Sequence, residues 1–95
     1  MNAPAEAQPI VLDVRTPEEY EGGHLAGSQL FDYLGGEVHA AIPELDPTAE
    51  YVVYCRSGAR SGETVELMTR AGFTSAVNLG SLEDAAEATG LAIVR

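Results

Sequence analysis

The chain has 95 residues, enough for one domain that builds its core without disulfides and too few for a second. Fifteen acidic residues against five arginines and no lysine give a net charge of −10, so nucleic acid and anionic membrane surfaces are set aside as partners. A single cysteine excludes an intrachain disulfide, no cysteine or histidine spacing resembles a metal site, and no apolar run is long enough to cross a bilayer.

Residues 1–9 lack both a basic start and an apolar stretch. They read as a flexible tail and not as a secretory signal, ahead of a domain over residues 10–95. A lone thiol without a disulfide partner makes the reducing cytoplasm the expected compartment. Ile10 to Val14 is a short apolar run without helical period, which predicts a buried strand. Thr16-Pro17-Glu18-Glu19 then supplies an N-cap, a proline at the first helical position and a capping-box carboxylate, so a short helix starts there and stops at Gly22-Gly23. His24 falls in a glycine-flanked turn, where a hydrogen-bonded structural role is expected. Ser28 to Phe31 is a second short strand, and Tyr33 to Ile42 a weak helix interrupted by Gly35-Gly36 and closed by Pro43. His39, within it, has no partner motif and is read as a surface residue.

Asp46-Pro47-Thr48 marks a turn, after which the β-branched and aromatic run Tyr51 to Tyr54 predicts a central strand. The next helix is expected from Ser61 to Ala71, its apolar face made by Val65, Leu67, Met68 and Ala71 and its end set by Gly72. Ala76 to Leu79 reads as a strand. Ser81 with Asp84 three positions on caps a helix running through Thr89 to Gly90, and Leu91 to Val94 is a final strand. Strands alternating with helices over short connections imply an α/β sandwich around a mainly parallel sheet.

Between the central strand and its helix lies Cys55-Arg56-Ser57-Gly58-Ala59-Arg60-Ser61. An unpaired cysteine is commonly a small buried hydrophobe. This one ends an apolar run and meets two arginines within five positions, in a short loop whose backbone N–H groups can curl inward ahead of a helix N-terminus. That setting favours the thiolate and makes Cys55 a candidate nucleophile. It also falls at the carboxyl end of a strand, where ligand crevices of parallel sheets lie.

Taken together, Val11 to Arg15 with Glu18-Glu19-Tyr20, then Gly23 to Gly27, Tyr51 to Ser61, Leu67 with Ala71-Gly72-Phe73, and Val77-Asn78-Leu79 resemble a single-domain rhodanese, a thiosulfate-type sulfurtransferase. The resemblance runs over most of Ile10 to Leu79 in the family's order. The chain departs from the pattern in having no strand and helix ahead of Ile10 and no tryptophan after Asn78-Leu79. The resemblance implies a three-layer sandwich, its central mainly parallel β-sheet covered by helices on both faces. It also implies that Cys55 is the nucleophile and persulfide carrier, and that Arg56, Ser57, Gly58, Ala59 and Arg60 form the loop that holds the anionic substrate. Arg15 and Glu19 occupy positions that form a structural ion pair in similar domains, while Asp13 and His24 support the neighbouring loops.

The implied cycle is ping-pong: the Cys55 thiolate takes the sulfane sulfur of thiosulfate or a similar small anionic donor, and an external thiol, cyanide or a thiol-containing protein removes it. No metal or organic cofactor is implied. Two other readings remain at this point. One is a sulfur-carrier or interaction module loaded by a partner protein. The other is a cysteine phosphatase or arsenate reductase, which the Cys-x4-Arg spacing of Cys55 and Arg60, one residue short of a phosphate ring, disfavours.

Overall fold

A computed structural model describes residues 8–95; the expected tail at residues 1–9 lies outside them except for Gln8 and Pro9, which are exposed and belong to no helix or strand. The elements run β1 (Ile10–Asp13), α1 (Pro17–Glu21), β2 (His24–Leu25), β3 (Gln29–Leu30), α2 (Glu37–Ala41), a 3-10 turn (Ile42–Glu44), β4 (Glu50–Tyr54), α3 (Ala59–Arg70), β5 (Ser75–Gly80), α4 (Leu82–Thr89) and β6 (Ile93–Val94). The main sheet has the order β3-β1-β4-β5 with every pairing parallel, and β2 and β6 form a separate antiparallel pair.

Period-two alternation along β1 and β4 divides the interior. Leu12 and Val14 share one face with Tyr51, Val53 and Cys55, packed under Val38, Met68 and Phe73, with Tyr51 and Phe73 meeting edge-on at 5.5 Å between ring centroids. Val11 and Tyr54 point to the opposite face, against Leu25 and Ala85. Helices α2 and α3 cover the first face and α4 the second, which makes the three-layer α/β sandwich that the resemblance implied. The register places Leu12 beside Val53 and Asp13 beside Tyr54, so consecutive residues at the strand ends serve different faces.

Both capping boxes form. Thr16 Oγ1 accepts from the Glu19 N–H at 3.3 Å while Glu19 Oε1 accepts from the Thr16 N–H at 2.9 Å, and Ser81 and Asp84 repeat the exchange at 3.1 and 3.5 Å. Several expectations are corrected. Helix α2 begins at Glu37 and not Tyr33, because Gly36 precedes it in the left-handed region (φ 85°) and the preceding turn is held by Asp32 Oδ1 accepting from the Gly35 N–H at 3.1 Å. Helix α3 begins at Ala59, two residues before the expected start, because Gly58 acts as its N-cap. The segment around His24 is a strand and not a turn, and the last strand pairs with it. Among the described residues no helix is long and apolar enough to cross a membrane.

Candidate active site

Strand β4 ends at Tyr54, and Cys55 follows it with its N–H donated to Gly80 O at 2.9 Å. Here the pairing with β5 shifts register, so that Tyr54 stands opposite Gly80. Gly58 then turns the chain at φ 99°, a conformation that disfavours any residue with a Cβ, and an added Cβ would sit 3.4 Å from Gly80 Cα. The turn brings the Gly58 N–H onto Cys55 Sγ at 2.9 Å. Ser61, in the first turn of α3 and fully buried, places its Oγ 3.3 Å from the same sulfur.

Burial pushes the Cys55 thiol up, but hydrogen bonds from the Ser61 hydroxyl and from the backbone N–H groups of Ser61, Gly58 and Ser57 outweigh it and bring the thiol below its ordinary value. The main acidifying groups are backbone dipoles and one hydroxyl. Cys55 itself has no solvent-accessible surface.

Asn78, on β5, organises this cradle. Its Nδ2 donates to Gly58 O at 3.0 Å, and its Oδ1 accepts from the Gly80 N–H at 2.9 Å, which fixes the amide's orientation. The same Oδ1 lies 2.6 Å from Ser61 Oγ. Ser61 has one hydroxyl proton and two acceptors, so the shorter contact takes it while Cys55 is a thiol, and ionisation of Cys55 draws it towards sulfur. Ser61 and Asn78 were not among the site residues expected from the sequence. Asn78 lies 17 positions beyond Ser61 and 23 beyond Cys55, and no local spacing ties it to the loop. Ser61 was readable as the end of the polar run that Cys55 opens.

The two loop arginines have different fates. Arg60 reaches across to Glu19, with Nη1 to Oε1 at 2.9 Å and Nη2 to Oε2 at 3.1 Å. This fork, together with the Thr16 hydrogen bonds, holds the Glu19 carboxyl down at about 2, although partial burial opposes the shift. The Arg60 guanidinium is correspondingly raised, first by Glu19, and it also lies close enough to feel charge on Cys55. Arg56 is exposed, and among the described residues it has no ion-pair or hydrogen-bond partner. Ser57 and Ala59 are exposed on the loop.

The expected Arg15–Glu19 pair is therefore replaced by two others. Arg15 folds back onto Asp13, with Nε to Oδ1 at 2.9 Å and Nη2 to Oδ2 at 2.7 Å, because the backbone turn after β1 places the two side chains two residues apart on one side. Arg15 Nη2 also donates to Gly23 O at 2.7 Å, and Asp13 Oδ2 accepts from the Tyr54 hydroxyl at 2.7 Å. Asp13 is wholly buried, so it is a structural anchor and not a solvated turn carboxylate. His24 stacks on Tyr20 at 3.6 Å between centroids and donates from Nδ1 to Tyr20 O at 2.9 Å. His39 is exposed.

A cleft of about 360 Å³ borders the loop, lined by Arg15, Glu18, Glu19, Arg56, Leu82 and Glu83 among others. A shallower depression of about 200 Å³ on the other flank is lined by Tyr33, Ala59, Arg60 and Glu63. Among the described residues no group of three or more His, Cys, Asp and Glu side chains is placed to hold a metal ion.

A thiol at the end of a parallel strand, cradled by loop N–H groups, is the arrangement the sequence had suggested, and the model of the family described as "Rhodanese-like domain" matches residues 1–88. The chain belongs to the rhodanese-like domain family. Among similar rhodanese-family proteins, the thiosulfate sulfurtransferase PspE of Escherichia coli is 32% identical over 77 residues, covering 79% of this chain and 72% of that protein. The putative sulfur carrier protein YrkF of Bacillus subtilis is 36% identical over 69 residues, which cover 73% of this chain and 36% of YrkF. A solved rhodanese with anions from E. coli superposes with a TM-score of 0.77 at 30% identity, covering 93% of this chain and 99% of that one. The rhodanese-like relatives thus point to sulfur transfer as the general chemistry.

Proposed function

We propose that the chain is a sulfurtransferase in which Cys55 carries sulfane sulfur as a persulfide between a donor and an external thiophilic acceptor, a thiol or cyanide. The observation that carries this reading is the cradle on the only thiol: the Gly58 N–H at 2.9 Å and the Ser61 Oγ at 3.3 Å from Sγ, on a backbone pinned by Asn78. In the first half-reaction the Cys55 thiolate attacks the outer sulfur of the donor. An Sγ–S bond forms, the donor's own sulfur–sulfur bond breaks, and the leaving group departs with the electron pair. The donors that hold the thiolate also face the sulfur as charge passes to the persulfide, so one preorganised set serves both half-reactions. A nucleophilic acceptor then removes the outer sulfur and regenerates the thiolate. With no second cysteine in the chain, that acceptor comes from outside.

A phosphatase reading is weakened further by Arg60. An arginine that closes an anion loop must turn its fork inward, and this one is committed to Glu19. The test of the sulfurtransferase reading is intact-mass spectrometry after incubation with a sulfane donor, followed by addition of cyanide. A gain of about 32 Da, one sulfur atom, localised to Cys55 and discharged as thiocyanate, is the expected result. Absence of the adduct with every donor tried would overturn it.

A further inference from the structure

We propose that Glu19 selects the sulfur donor by charge, and that the donor this site favours is an organic hydropersulfide, reacting in its protonated form, over the thiosulfate dianion. The inference rests on the sulfur-transfer reading above. It follows from a charge count at the loop. Thiosulfate attacked by a thiolate gathers three negative charges in the transition state, one from Cys55 and two from the donor. A hydropersulfide that reacts in its protonated form, R–S–SH, gathers only one.

The site is poorly furnished for the larger number. Of the two loop guanidiniums, Arg60 is occupied by both oxygens of Glu19; Arg15, which lines the neighbouring cleft, is spent on Asp13. Arg56 alone is free among the described residues, and its cleft also carries Glu18 and Glu83. The depression beside Arg60 carries Glu63. Carboxylates lining the depressions beside the loop oppose a dianion more than a donor of lower charge. A protonated hydropersulfide avoids that repulsion and still uses the cradle.

The step balances without any further reagent. The Cys55 thiolate attacks the outer sulfur of R–S–SH, the Sγ–S bond forms, and the R–S bond to that sulfur breaks with its electron pair. The products are Cys55–S–SH, with the proton kept on the transferred sulfur, and the thiolate R–S⁻. Glu19 acts through Arg60 and is a positioning residue: neutralising it releases a second guanidinium towards the loop.

The experiment measures kcat/KM for Cys55 persulfide formation with thiosulfate and with cysteine hydropersulfide, on the full chain and on two variants. For the unaltered chain the hydropersulfide is expected to lead by about a hundredfold or more, and Glu19→Gln is expected to move the ratio about tenfold towards thiosulfate. Because Glu19 also caps α1, Glu83→Gln is the second variant; it makes no contact with the pair and should move the ratio in the same direction by about threefold. A donor ratio is not shifted by a uniform loss of fold. Equal or better use of thiosulfate by the unaltered chain, or ratios unmoved in both variants, would overturn the proposal while leaving sulfur transfer intact. Failure of both donors to load Cys55 would overturn the sulfur-transfer reading itself, and this inference with it.

Discussion

Tyr54 and Cys55 are adjacent acids at the end of one strand, and the protein pushes them in opposite directions. Tyr54 turns to the face that holds Asp13, where burial pushes its hydroxyl up to about 12, even though the Ser28 hydroxyl and the Leu25 N–H favour the ionised form. Cys55 turns to the other face, where Gly58, Ser61 and their neighbours bring the thiol down. Burial disfavours charge at both residues, so the difference lies in the partners. Around Tyr54 the hydrogen-bonding capacity is used up: Asp13 takes Arg15 and the tyrosine hydroxyl, and the hydroxyl accepts from the Leu25 N–H at 3.1 Å. Around Cys55 the donors are aimed at one sulfur, and the Ser61 proton is shared with Asn78. A saturated polar cluster holds structure, whereas one with donors directed at a single polarisable atom is prepared for charge to develop there.

The harshest test of this contrast removes the central atom of each cluster. Cys55→Ser is expected to lower sulfur transfer at least about a thousandfold with the thermal transition almost unmoved, since an alcohol is far less acidic and carries no sulfane sulfur. Cyanide-dependent thiocyanate release and a melting curve on the same sample check it. Asp13→Asn is expected to do the reverse. It leaves the buried Arg15 charge without its partner at a cost of about 3–5 kcal/mol, while activity per folded molecule stays within about threefold. Urea titration with activity measured on the folded fraction decides this. Large activity loss in a folded Asp13→Asn protein would erase the division between the two clusters.

Ser61→Ala sharpens the comparison from the reactive side. The hydroxyl stabilises the thiolate only by turning away from Asn78 Oδ1, so its net effect is smaller than that of a dedicated donor. The expected outcome is a raised thiol pKa and a correspondingly slower reaction at neutral pH. The measurement is the pH dependence of thiolate absorbance or of alkylation by iodoacetamide. An unchanged or lowered value would mean that the Ser61 proton remains on Asn78 in both states.

How much of this was legible follows the range of each interaction. Period-two runs, glycine punctuation and the two capping boxes are local, and strands β1, β4 and β5 with helices α1, α3 and α4 were readable to within two residues. Strand β2 was not, because two residues carry no period, and although β6 falls within the expected Leu91 to Val94, its pairing was not readable, since it joins His24 to Val94 across most of the chain. The polar loop marked Cys55 as a candidate nucleophile for the same local reason. The Glu19–Arg60 fork spans 41 positions and the Ser61–Asn78 contact 17, and charge alone does not choose partners at such separations. Arg15 had two carboxylates within reach in sequence, Asp13 and Glu19. The turn after β1, not spacing, decided between them.

The gentlest test is Tyr54→Phe, which keeps the ring and removes one oxygen. At neutral pH the loss should be about 1–2 kcal/mol, the worth of the hydrogen bonds to Asp13 and from Leu25, with Cys55 loading unchanged because the hydroxyl lies on the other face of the sheet. The pH dependence separates this from a packing defect. The folded-state value is raised to about 12 from an ordinary 10.0, so the folded protein holds the phenolic proton more tightly than the unfolded chain. Its contribution is fully present below pH 10 and is lost as pH rises from 10 towards 12. Tyr54→Phe should therefore flatten that part of the stability profile and narrow the gap to the unaltered protein as pH climbs. A gap that stays constant from pH 8 to 12 would show that Tyr54 ionises as an ordinary phenol and that burial alone does not distinguish it from its neighbour.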